Sequence, residues 1–175
     1  MPNPLGPVWN GHRTSMDAFG VVRRALALDA MVRAQVLQGG QFAAASDQQI
    51  LDLLDAAQDE VDDQAVLFLY ATFEARLREH IVAQSGLLTG ATQPSAQFGQ
   101  NLHGWFNDLC RDARMDKVLD LFVPSVNQVL IAQVGSIRKY RHWLAHGRRG
   151  LAVPSVTPLF AYRTLTSFLQ LCNLT

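Results

Sequence analysis

SDQQILDLLDAAQDEVDDQAVLFLYATFEARLREHIVAQ, residues 46 to 84, decides the fold class. The stretch contains neither proline nor glycine. Ile50, Leu53, Leu54, Ala57 and Val61 recur at the spacing that one face of a helix requires. Ser46 followed by Gln49 matches a capping box, in which two orphan backbone groups are satisfied reciprocally. The apolar half, from Val66 on, continues the helix to about Gln84. A break near Asp62 and Asp63 is the alternative for so long a run.

The rest of the chain extends the helical pattern. Thr14 or Ser15 is positioned to cap a first helix running to about Leu37, with Gly39 and Gly40 as its stop. Residues 85 to 99 are rich in Gly, Ser, Thr and Pro and read as a loop. A helix in one or two pieces is expected from Asn101 to about Leu121. Pro124 suits the first turn of the next, which Gly147 ends. Thr157 and Pro158 open a last helix to Leu171. The one short strand candidate, LAVPSV, carries Pro154, which lacks a donor for the ladder. The reading is all-α: a dimeric up-down bundle of four or five helices, single and compact overall. Residues 1–45 form an extension and first helix packed on a bundle built from 46–175.

Composition bounds the function classes. The chain of 175 residues is 49% apolar and only 17% charged, so part of its surface is expected to be covered by a partner. Cys110 and Cys172 have no disulfide or metal spacing and suggest free thiols in a reducing compartment. The opening MPNPLGPVWNGHR lacks a secretory pattern, and no window is long and apolar enough to span a bilayer. A cytoplasmic protein with no membrane partner is expected. Net charge is zero but unevenly spread: residues 46 to 63 hold seven acids and no Lys or Arg, and residues 121 to 175 hold six Lys and Arg and no acid. That asymmetry permits a local anion site, two solvated faces of opposite sign, or an acidic segment of one subunit facing a basic one of another.

The chemistry concentrates in RHWLAHG, residues 141 to 147. His146 falls at a helix C-terminus, and imidazole changes protonation near neutral pH, as proton transfer requires. Arg141 presents a planar fork of donors suited to phosphate. Five residues of helix turn the two by about 500°, or about 140° net. A second subunit, or an arginine bent around the helix end, would bring them together. His142 and His146, four apart, also have the spacing of a metal pair, but no third ligand follows at a fitting distance, so neither metal nor cofactor is expected. The bland alternative is a basic helix end that suits the macrodipole.

Arg-x4-His at the end of an amphipathic helix, ending in LAHG, resembles the HEPN family of α-helical nucleases and nucleotide-binding domains. The acid-bearing helix LYATFEARLREHI upstream adds to the likeness, which covers roughly residues 60 to 172. The resemblance implies a metal-independent endoribonuclease of the prokaryotic toxin or phage-defence type, working at a two-fold dimer interface. It implies attack of the RNA 2′-hydroxyl on the adjacent phosphorus, leaving cyclic phosphate ends. His146 would be general base or acid, Arg141 would stabilise phosphoryl charge, and His142 would orient the pair or touch the phosphate. Glu74 would position Arg141, unless it simply pairs with Arg78 one turn on. Arg138, Lys139, Arg148 and Arg149 would hold the RNA backbone, with Tyr140 and Trp143 available to stack on bases. RNA, a homodimer partner and an antitoxin or other defence-system protein are the implied partners. Two positions depart from the family pattern: Arg148 stands where some toxins carry a modifiable tyrosine, and His142 where Asn or Asp is usual. The alternative function is a non-catalytic dimerisation or interaction module on the same fold.

Overall fold

The computed structural model describes residues 2–91, 96–123 and 125–175, with side chains omitted at 87–91, 96, 97 and 111. Among the described residues seven helices account for the regular structure: α1 (Gly6–Ala25), α2 (Ala30–Leu37), α3 (Asp47–Ala91), α4 (Ala96–Asp112), α5 (Met115–Asp120), α6 (Gln128–Ala145) and α7 (Pro158–Leu171). The described residues contain no strand. None of these helices is long and apolar enough to cross a membrane.

The long helix is unbroken. Its 45 residues span about 67 Å, with no interruption at Asp62 and Asp63. Its start is capped reciprocally: Ser46 N–H donates to the Gln49 side chain at 2.8 Å, and Gln49 N–H to the Ser46 hydroxyl at 3.3 Å. The apolar stripe Val66, Leu69, Tyr70, Phe73, Leu77 and Ile81 is buried and forms the spine of the main core. Against it pack Leu130, Val134 and Ile137 of α6 and Ala161, Leu165, Phe168 and Leu169 of α7. Phe168 meets the rings of Phe73 and Phe122 edge-on, at centroid distances of 5.2 and 5.6 Å. The acidic half of α3 buries only Ile50 and Leu54, in a smaller cluster with Leu37 that Phe19, Val22 and Phe42 cover.

Several expected boundaries move. The first helix starts near Gly6, with Pro7 in its first turn, and is interrupted at residues 26–29 before α2. Thr14 and Ser15 do not cap it; their hydroxyls donate one turn back to the Asn10 and Gly11 carbonyls. Asp29 is the cap that matters, accepting from Met31 and Val32 N–H at 3.0 and 3.1 Å. The loop expected over 85–99 is helical on both sides of residues 92–95, which lie outside the described residues. Ser85 keeps the helix by donating to the Val82 carbonyl at 2.6 Å. The helix expected from Pro124 begins at Gln128 instead, because Asn127 accepts from Leu130 N–H at 2.8 Å; Pro124 itself lies outside the described residues. Thr157 and Pro158 open α7 as their types predict, and the Thr157 hydroxyl accepts from Phe160 N–H.

The acidic run of α3 finds its partners within the chain. Asp47 pairs with Arg33 and Asp55 with Arg23, at 2.8 and 2.5 Å. His12 meets Asp62 at 2.6 Å, and Arg148 sits on Asp63 with Glu60 nearby. Five of the seven acids of residues 46 to 63 therefore face a basic side chain of the same molecule. These pairs tie α1, α2 and the loop after α6 to α3.

Candidate phosphate-binding cleft at the end of α6

Helix α6 has two working faces. Leu130, Val134, Ile137 and Tyr140 turn into the molecule, whereas Arg138, Arg141 and His142 line a cleft together with His146. The helix ends in a Schellman motif: Gly147 N–H donates to the Leu144 carbonyl and Arg148 N–H to the Trp143 carbonyl, both at 2.9 Å. Gly147 takes φ 68° there, which glycine adopts without steric cost. Arg148 follows at φ 59°, also left-handed, which for a side-chain-bearing residue is a strained conformation held by its surroundings. This sharp end folds the loop over the cleft, where Arg149, Leu151 and Val153 form one wall.

The cleft encloses about 710 Å³, within the range of small-ligand sites. Tyr70 and Glu74 of α3 contribute to it, as do Arg114 and Met115 from the start of α5. Arg141 and His146 both line it from a single chain. The His142 and His146 rings stand edge to face, 4.2 Å between centroids. Both imidazoles are exposed. The Arg141 guanidinium lies 6.0 Å from the centre of the Tyr70 ring, at the edge of cation–π range.

Charge in the cleft is one-sided. Five permanent cations line it, Arg114, Arg138, Lys139, Arg141 and Arg149, against the single carboxylate of Glu74. Glu74 is engaged by Arg78 at 2.9 Å, the one-turn pair, although its position still lines the cleft. Arg78 in turn donates to the Cys110 and Ala113 carbonyls, tying α3 to the end of α4. Arg114 and Arg138 share Asp116 at 3.3 and 3.6 Å. Lys139, Arg141 and Arg149 have no carboxylate partner among the described residues. Three uncompensated cations around a concave site attract an anion with several oxygens.

Two of the residues expected to contact RNA are placed elsewhere. Tyr140 is only 7% exposed, and its hydroxyl donates to Asp63 at 2.6 Å, so its ring is not available to stack on a base. Burial, with the bond to Asp63, pushes the Tyr140 hydroxyl up to about 12. Arg148 leaves the cleft to pair with the same Asp63. Tyr140 follows Ile137 by three residues, and that spacing already puts it on the apolar face. Trp143 does line the cleft, tilted against Tyr140 at 5.8 Å. Tyr70, Arg114 and Met115 were not singled out from sequence; only the i, i+4 relation of Tyr70 to Glu74 signals that one of them belongs. Among the described residues no three His, Cys, Asp or Glu side chains gather in a metal-binding group. His12 and His103 are engaged by Asp62 and by Ser85 and Asn107.

Comparison with known proteins matches no family model, no curated protein and no solved structure.

Proposed function

We propose that this chain is a metal-independent endoribonuclease of the HEPN type, acting as a cytoplasmic homodimer in a prokaryotic toxin or phage-defence role. One observation carries the reading: Arg141, His142 and His146 line a single cleft in which Lys139, Arg141 and Arg149 have no carboxylate partner among the described residues. A phosphodiester supplies the charge that such a cleft lacks, and two exposed imidazoles supply groups that accept and donate protons. The reaction needs little else. One imidazole takes the proton of the 2′-hydroxyl as its oxygen bonds to phosphorus. The bond from phosphorus to the 5′-oxygen breaks, and the second imidazole protonates the leaving oxygen. A 2′,3′-cyclic phosphate and a 5′-hydroxyl result. Arg141 stabilises the charge that builds on the non-bridging oxygens, and Lys139 and Arg149 hold the backbone on either side. Glu74, occupied by Arg78, acts by fixing α3 against α4 rather than by gripping Arg141.

The experiment is incubation with RNA and with DNA of the same sequence in EDTA. Cutting of RNA alone, with cyclic phosphate ends, is the expected result; cutting of both, or loss of cutting in EDTA, rejects this mechanism. A non-catalytic interaction module is the second reading, favoured by the exposed apolar residues Trp105 and Leu109 along α4. An antitoxin or other defence-system protein is the natural occupant of such a face. The acidic run of α3 is the weaker docking candidate, since its carboxylates are largely engaged within the chain.

A further inference from the structure

Four buried side-chain polar atoms among the described residues lack a hydrogen-bond partner: His12 Nδ1, Tyr70 Oη, Asp116 Oδ1 and Trp143 Nε1. Tyr70 and Trp143 line the cleft, and Asp116 stands beside its Arg114 and Arg138. Leaving a buried donor unsatisfied is costly, so such groups are rare and call for an explanation. Tyr70 is the most exacting case. Its ring is 1% exposed and packs on Phe73 at 6.0 Å, while Arg141 covers its face. Its neighbours on α3 and α6 are Glu74, Arg78, Arg138 and Arg141, three cations and one carboxylate. None of them accepts its proton: arginine has no acceptor atom, and Glu74 takes its bonds from Arg78 through Oε1 and none from Tyr70.

We propose that the Tyr70 hydroxyl is a ligand-binding donor beneath the floor of this cleft, uncovered when the Arg141 side chain swings off the ring to hold a phosphoryl oxygen. An anionic acceptor is what the position selects. A cationic or neutral donor group arriving there meets Arg138 and Arg141, and no carboxylate of the described residues bonds to the hydroxyl. The phenol also stays protonated through the physiological range, since burial and the Glu74 charge push it further up than the arginines pull it down. Tyr70 thus adds a short, uncharged, geometrically fixed donor to a site otherwise built from long flexible cations. It grips the phosphate by position, where Lys139 and Arg149 act by charge. The inference deepens the reading of the cleft as a phosphodiester site, but it requires no cleavage.

The test is Tyr70→Phe in the full chain, which removes the hydroxyl and keeps the ring beneath Arg141. Binding of inorganic phosphate and of a 2′-deoxy dinucleotide is measured by calorimetry at constant ionic strength, alongside thermal unfolding. A hydrogen bond to a charged oxygen predicts roughly tenfold or greater weakening of both probes, with Tm unchanged or slightly raised. Equal binding by wild type and variant overturns the proposal, as does failure of wild type to bind either probe. A Tm several degrees lower in the variant also overturns it, because the hydroxyl then has a partner within the fold. RNA cutting is not read here. Failure of the ribonuclease reading therefore leaves a positive binding result standing, and the reverse holds as well.

Discussion

Replacing Asp63 with alanine removes the carboxylate that holds the end of α6 to α3. Asp63 accepts from the Tyr140 hydroxyl at 2.6 Å and also receives the Arg148 guanidinium. Tyr140 is 7% exposed, so Asp63→Ala leaves its hydroxyl buried without a partner, at about 1–3 kcal/mol. Arg148 is half exposed, and its lost pair adds about 0–1 kcal/mol. Together these place the loss near ~2–3 kcal/mol, or roughly 5–10 °C in Tm for a chain of this length. Tyr140→Phe alone costs less, about 1 kcal/mol, because Asp63 keeps Arg148. Urea unfolding of wild type, both single variants and the double variant closes a cycle. The two substitutions touch the same bond, so their coupling is expected at about 1–2 kcal/mol. Additive effects, within about 0.3 kcal/mol, refute the bond between Tyr140 and Asp63.

Three further outcomes follow from the same geometry. Gly147→Ala meets no atom within 4 Å of the new Cβ, so its cost is the left-handed backbone alone, about 1 kcal/mol or roughly 2–4 °C in Tm by thermal unfolding. Alkaline titration of stability tests Tyr140: its folded value is raised, to about 12, so its contribution is complete below about pH 10 and is lost as pH rises through about 12. The loss is about 2 kcal/mol, and Tyr140→Phe removes that share of the slope, leaving what Tyr70 and Cys172, also raised by burial, contribute. Replacing Lys139 and Arg149 with alanine lowers the slope of log K against log salt for single-stranded RNA by about 1.4, roughly 0.7 for each cation, measured by fluorescence titration over a salt series.

Much of the helical plan is legible in residue types. The stripe through α3, the Thr157–Pro158 start of α7 and the Gly147 stop each rest on a local rule that tertiary packing does not override. The N-terminal segment misleads because Thr14 and Ser15 are of capping type, yet the helix already starts at Gly6 with Pro7 in its first turn, where the missing donor costs nothing. Likewise the Gly and Thr residues after Ser85 look like punctuation, while the Leu and Ala among them carry α3 on to Ala91. At the cleft, the Arg–His segment and its cations stand out by charge. The partners of Arg148 and Tyr140 do not, since Asp63 lies 85 and 77 residues away and only the fold brings it near. Tyr70 is hidden for a different reason. It sits on an apolar stripe, and nothing in its spacing tells a packed phenol from one whose hydroxyl lacks a partner.

The central claim is that the cleft at the end of α6 cuts RNA through the His146 imidazole. It is tested most directly by the cleavage rate of His146→Ala against wild type in EDTA, on an RNA substrate, with circular dichroism and Tm measured on the same samples. His146 is exposed, so the substitution is expected to change stability by no more than about 0.5 kcal/mol while lowering the rate by about 10²–10⁴-fold. A folded His146→Ala protein that cuts RNA at the wild-type rate would contradict the account.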